Sequence, residues 1–159
     1  MYNSPDDSHP EKDILLLTDT LEPNTASLKG LKVLVVDDSR DCRILIGVVF
    51  KEYQAEVKLA GSVDEAIEIM EKWEPNVLIS DICMLNKDGY SLIHSIRKKN
   101  KLERTFLPAI VITAYPEKSV EALEAGFQEI LIKPFEHSEL VAQVVKLSST
   151  GINKSDKNL

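Results

Sequence analysis

The sequence predicts an α/β fold of five βα units, and two patterns carry that expectation. Short β-branched runs recur at 33–36, 57–59, 77–79, 109–112 and 130–132. Helical spacing of apolar residues fills the gaps between them. Four of the five runs are almost purely apolar, which suits strands covered on both faces of a parallel sheet. In the first gap Ile44, Val48 and Val49 share a helical face. Ala66, Ile67 and Met70 do so in the second, and Leu92, Ile93 and Ile96 in the third. Val120 and Leu123 mark a fourth helix, and Leu140, Val141, Val144 and Val145 a fifth. Gly126 falls where the fourth helix must stop, as a C-cap glycine would. No repeat is visible beyond this alternation.

The length of 159 residues suits one domain with a real core. Residues 1–28 carry three of the seven prolines and six acidic residues, and read as a flexible acidic tail or linker. One aliphatic cluster, Ile14, Leu15, Leu16 and Leu17, interrupts it. It is read either as a patch that docks loosely on the domain or as a partner-binding turn. The domain is expected over 29–148 and a C-terminal tail over 149–159. The formal net charge of −7 argues against nucleic acid as a direct partner. No apolar run is long enough to insert in a membrane. Cys42 and Cys83 lack metal or disulfide spacing, and free thiols fit the cytoplasm. The basic run at 97–101 reads as the solvated end of the third helix, where positive charge complements the dipole.

Polar residues gather at one end of the runs. Asp37 and Asp38 close the first, Asp81 the third, Thr113 the fourth and Lys133 the fifth. In open α/β sheets ligands bind outside the carboxyl ends of the strands. If strands one and three are neighbours, three carboxylates converge there, and their repulsion calls for a cation. Hard oxygen ligands suit Mg²⁺. A lysine and a hydroxyl complete a pocket for a transferring phosphoryl group, with a carboxylate as the nucleophile. Taken singly, each residue has a plainer role. Asp38 or Ser39 serves as an N-cap, Asp81 as a strand-end turn residue, and Lys133 as a solvated turn.

The set VLVVDD, SDICMLNKDG, VITA and KPF, in that order, resembles the receiver domain of two-component response regulators. The resemblance covers roughly residues 30–148 and is most similar to receivers of hybrid histidine kinases. It implies a flavodoxin-like sheet of order 2-1-3-4-5 with helices on both faces. It implies that Asp81 is the phosphorylation site and that Asp37 and Asp38 position Mg²⁺. Cys83 would lend the metal a backbone carbonyl, Thr113 would bind the phosphoryl oxygen, and Lys133 would pair with the phosphoryl group. In this family Pro134 often follows through a cis peptide. The spacing from Asp81 to Gly89 also fits. The implied phosphodonor is a histidine kinase or its phosphotransfer domain. The output is altered contact with a downstream protein, and homodimerisation stays open. The domain assists its own phosphorylation and dephosphorylation and is not a turnover enzyme.

Three positions depart from the family pattern. Leu85 stands where proline is usual, and Ile130 where a switch aromatic is usual. Thr113 and Lys133 are about two residues closer than usual, which shortens the region of the fourth helix. Tyr115 is read as an exposed loop residue that could replace the ring. These departures keep an alternative in view, a pseudo-receiver that binds partners without switching. A flavodoxin would need a phosphate-cradling loop after the first strand, and a haloacid-dehalogenase phosphatase would need aspartates two apart. DDSRD supplies neither.

Overall fold

The computed structural model describes residues 28–84 and 88–157. The expectations for residues 1–27 and for Leu85 lie outside that range. Five strands form a parallel sheet of order β2-β1-β3-β4-β5, as the resemblance implied. They are β1 (Lys32–Val36), β2 (Glu56–Ala60), β3 (Val77–Asp81), β4 (Ala109–Thr113) and β5 (Glu129–Ile132). The helices are α1 (Arg40–Glu52), α2 (Val63–Lys72), α3 (Gly89–Glu103), α4 (Ser119–Ala125) and α5 (His137–Lys157). The backbone of α5 thus continues past residue 148. A 3₁₀ turn, Pro116–Lys118, precedes the seven-residue α4, so the region expected to be short is short.

Alternation along each central strand splits the core in two. Val33, Val35, Ile79, Ile110 and Ile112 face α1 and α5, with Phe50 and Val144 against them. Leu34, Val36, Leu78 and Val111 face α2, α3 and α4, with Ala66, Ile93 and Ala122. Each such fully buried aliphatic contributes about 1.5–3 kcal/mol relative to exposure. Leu28, placed in the tail by composition, is fully buried in the first cluster.

Two helices turn the other way from the expected face. In α1 the buried residues are Ile46, Gly47, Val49 and Phe50, and Ile44 and Val48 look outward. In α4 only Ala122 is buried, and Val120 and Leu123 are exposed. Both helices carry apolar residues on more than one stripe, so spacing alone does not select the stripe that meets the sheet.

Side-chain caps begin the first three helices. Ser39 Oγ accepts from the Cys42 N–H, Ser62 Oγ from Glu65 and Asp88 Oδ1 from Ser91. Ser39 rather than Asp38 is therefore the first cap. Gly126 ends α4 at φ +126°, a conformation that excludes most side chains.

Arg97 corrects the expectation of a solvated basic run. Its guanidinium donates to the carbonyls of Gly126 (3.0 and 2.9 Å) and Leu107 (2.7 Å). It also donates to Asn100 Oδ1 and Gln128 Oε1, and lies 4.4 Å from the Phe106 ring centroid. Burial lowers its pKa to about 10. This fork ties the end of α3 to the turns that enter β4 and β5. Arg97→Met leaves the Leu107 carbonyl without its donor, at roughly 1–3 kcal/mol, while the Gly126 carbonyl keeps the Gln128 Nε2 donor at 3.0 Å. Urea unfolding should show a loss of about 2 kcal/mol, and Arg97→Lys should recover little because it lacks the planar fork.

Candidate functional site

The sheet order makes β1 and β3 neighbours, with Val36 opposite Ser80. Each strand ends at the same edge, so the residues just beyond them meet. Carboxylate oxygens of Asp37, Asp38 and Asp81 all lie within 4.8 Å of one another. Asp37 is only 2% exposed, and its Oδ1 accepts the Ser39 N–H at 2.8 Å. Burial is the main influence on its pKa and raises it. The Ser39 N–H and Lys133 oppose this and Asp81 and Asp38 add to it, so the net direction is up.

Lys133 reaches this cluster from the end of β5. Its Nζ lies 3.3 Å from Asp81 Oδ2 and 3.9 Å from Asp37 Oδ2. Burial pulls the lysine pKa down, but the two carboxylates outweigh it and the net shift is up. The Lys133 N–H donates to the Thr113 carbonyl at 2.8 Å, which fixes β5 against β4 at this level. Thr113 is buried at its strand end, and its Oγ1 accepts the Tyr115 N–H at 3.0 Å. Cys83 is exposed, and its N–H donates to Asp81 Oδ1 at 3.2 Å. The Lys133–Pro134 peptide is cis. The structure thus brings Asp37, Asp38, Asp81 and Lys133 into direct electrostatic contact. Cys83 is tied to Asp81 through its amide, and Thr113 lies at the same edge.

Two supporting residues have no counterpart in the sequence reading. Arg43 Nη1 donates to the Asp37 carbonyl at 2.9 Å and so holds the end of β1. A basic residue in the first turns of a helix opposes the macrodipole, and that conflict was the available signal. Ser80 Oγ, fully buried, donates to the Asp81 carbonyl at 2.9 Å. Gly89, whose spacing from Asp81 the sequence does mark, packs against the same carbonyl, and its N–H donates to Ile82 O at 2.9 Å. The Asp81 main chain is held from two sides.

The aromatic positions are also settled. Ile130 is half-buried against the α2–α4 side of the core, and Tyr115 is exposed. Neither supplies a ring buried beside Thr113. Tyr90, at the start of α3, has a buried hydroxyl near Glu121. Burial first, and then Glu121 on α4, push its phenol up to about 12.

The donor set fits a hard divalent cation. Three carboxylates converge, and oxygen is the only ligand atom they offer. Such a cluster can hold a cation and present one carboxylate as a nucleophile.

Comparison with known proteins agrees with this architecture. The family model of the response regulator receiver domain matches residues 33–145. The uncharacterized 14.6 kDa protein in sodA1 3'region of Leptolyngbya boryana is 38% identical over 120 residues, covering 74% of this chain and 90% of that protein. The sensor histidine kinase TmoS of Ectopseudomonas mendocina is 36% identical over 124 residues, covering 76% of this chain but only 12% of the kinase. The receiver domain of the Francisella response regulator 1452 superposes with a TM-score of 0.69 at 30% identity, covering 76% of this chain and 98% of that one. The family match runs from β1 into α5 and takes in the whole carboxylate edge. The chain belongs to the response regulator receiver domain family.

Proposed function

We propose that Asp81 accepts a phosphoryl group from a histidine kinase or its phosphotransfer domain, and that the acyl phosphate alters contacts with a downstream protein. One observation carries this reading: three carboxylates lie within 4.8 Å of one another, and Lys133 Nζ reaches Asp81 Oδ2 at 3.3 Å. In the transfer, Asp81 Oδ forms a bond to phosphorus as the donor's bond to phosphorus breaks, and the leaving group takes up a proton. Lys133, already 3.3 Å from Asp81, pairs with the phosphoryl oxygens. The Thr113 hydroxyl binds one of them. Asp37, Asp38, Asp81 and the Cys83 carbonyl would hold Mg²⁺, which when bound neutralises charge across the carboxylates and the phosphoryl group. Asp37, fixed by the Ser39 N–H and buried, is oriented in advance.

The aliphatic face of α1 supports the partner reading. Ile44, Leu45 and Val48 are exposed on the helix that begins just beyond Asp37 and Asp38. A phosphodonor helix packed there would place its histidine near Asp81. Val120 and Leu123 on α4 form a second exposed apolar surface, suited to output. The domain acts as a signalling module rather than a turnover enzyme. No helix among the described residues is long and apolar enough to cross a membrane. The free thiols of Cys42 and Cys83 favour a cytoplasmic setting.

A second reading rests on Ile130. An aliphatic residue at that place cannot carry the usual ring movement, which favours a binding module that does not switch. An intact-mass time course with acetyl phosphate separates the two. A single phosphoryl adduct that forms with Mg²⁺ and is absent with chelator is the expected result. Folded protein that takes up no phosphoryl group under either condition would support the binding module instead.

A further inference from the structure

The exposed face of α1 has a measurable length and a charge pattern. Ile44, Leu45 and Val48 are 43%, 52% and 48% exposed, and helical spacing sets them side by side. Arg40 stands at the end nearer the carboxylates and Lys51 at the far end, both exposed, with Asp41 and Glu52 beside them. At 1.5 Å per residue, the two basic residues lie about 16 Å apart along the axis. Residues 13–19 read DILLLTD, four aliphatic residues bracketed by Asp13 and Asp19. Extended, those six steps span about 20 Å. The segment and the face therefore match in length and in apolar centre, and Arg40 and Lys51 stand at the separation that Asp13 and Asp19 would need.

The point at which the tail enters the domain sets the direction. Leu28 is buried in the cluster that contains Phe50, and the Leu31 carbonyl accepts the Glu56 N–H at 2.8 Å. The tail thus joins the fold at the end of the sheet where α1 finishes and β2 begins. The nine steps from Asp19 to Leu28 reach up to about 30 Å, ample for Asp19 to meet Lys51. We propose that residues 13–19 dock extended along α1, in the same direction as the helix, with Asp19 at Lys51 and Asp13 at Arg40. Alternate residues of the aliphatic cluster then cover Ile44, Leu45 and Val48. A tether of this length holds the segment at an effective concentration in the millimolar range, enough for a small contact to form.

Two other apolar surfaces fit this segment less well. A groove of about 460 Å³ between α2 and α3 is lined by Ile67, Met70 and Ile96, but Glu71, Glu74 and Glu103 outnumber Lys99 there. It also lies on the opposite side of the sheet from Leu28. The exposed residues of α4 sit among Glu117, Glu121 and Glu124, which outnumber Lys118. Both would repel an acidic segment. The consequence for signalling, which rests on the reading above, is that the docked tail competes with a phosphodonor for α1.

Docking itself is tested in the full unphosphorylated chain, so its outcome is independent of acyl-phosphate chemistry. Amide spectra of ¹⁵N-labelled protein are compared for the wild type and for Leu15→Asp combined with Leu17→Asp. The expected result is a set of shifts concentrated in Arg40–Glu52 that does not change on dilution. Reversing Arg40 and Lys51 to Asp should produce the same loss, and adding Asp13→Lys and Asp19→Lys should restore it. Shifts confined to the neighbours of residues 15 and 17 would overturn the proposal. So would shifts centred on α4 or on the α2–α3 groove, or α1 shifts that fade on dilution, which would place a second copy on that face.

Discussion

Asp81→Asn should abolish formation of the phosphoryl adduct and, without metal, stabilise the fold by about 1 kcal/mol. The first effect follows from losing the nucleophilic oxygen. The second follows from charge. Asp81 lies within 4.8 Å of two other carboxylates and 3.3 Å from one ammonium group. At an effective dielectric of 20, each repulsion is worth at least about 3.5 kcal/mol and the attraction about 5. Two repulsions outweigh one attraction, and solvent around the partly exposed Lys133 and Asp38 reduces the difference to about 1 kcal/mol. The carboxamide oxygen introduced by Asp81→Asn can still accept the Cys83 N–H. Thermal unfolding in chelator should show the gain. Adding Mg²⁺ should raise the midpoint of the wild type much more than that of the variant, because a ligand of the native state alone stabilises it by mass action. A variant that still accepts phosphoryl groups, or melts well below the wild type in chelator, would contradict this account of the site.

Gly89→Ala should destabilise the protein by about 3 kcal/mol. A Cβ at this position would sit 2.5 Å from the Asp81 carbonyl oxygen and 3.0 Å from Ile82 Cα. Both obstacles are main chain, so no side chain can swing aside. Relief requires moving either the start of α3 or the end of β3, and overpacking of this kind costs roughly 1–3 kcal/mol or more. Either movement also strains the hydrogen bond from Gly89 N–H to Ile82 O and displaces Asp81. Phosphorylation should therefore slow by a larger factor than the loss of folded protein alone predicts. Urea unfolding, with adduct formation measured on the folded fraction, separates the two effects. A variant with unchanged stability would mean that the loop after β3 yields more easily than this packing implies.

The sheet and its functional edge were legible because they rest on rules with little freedom. Apolar runs of strand length, separated by helical spacing, leave few ways to fold. The polar residues at strand ends follow from parallel topology, so Asp37, Asp38, Asp81, Thr113 and Lys133 could be placed at one edge before any coordinates. The helix faces were harder. α1 reads RILIGVVF from Arg43 to Phe50, and more than one apolar stripe satisfies its period. Packing against Leu28 and the sheet chose Ile46, Val49 and Phe50. Arg97 was obscured for a different reason. Its neighbours Lys98, Lys99 and Lys101 are solvent residues, and only the tertiary approach of Gly126 and Leu107 distinguishes it. Arg43 and Ser80 likewise act on main-chain carbonyls, which sequence does not mark.

The contact between Lys133 and the two aspartates also sets an order of events during synthesis. Lys133 and Asp81 are 52 residues apart in the chain, and Asp37 lies further still. Closing loops of that size is slow compared with forming helices, and non-local pairing of this kind governs folding rates. A nascent chain that has emerged only as far as β4 already carries all three carboxylates but lacks Lys133. The acidic edge therefore becomes competent only when the last strand docks. On the function proposed above, phosphoryl uptake would report that the whole sheet has been assembled, and a chain truncated after β4 should take up no phosphoryl group.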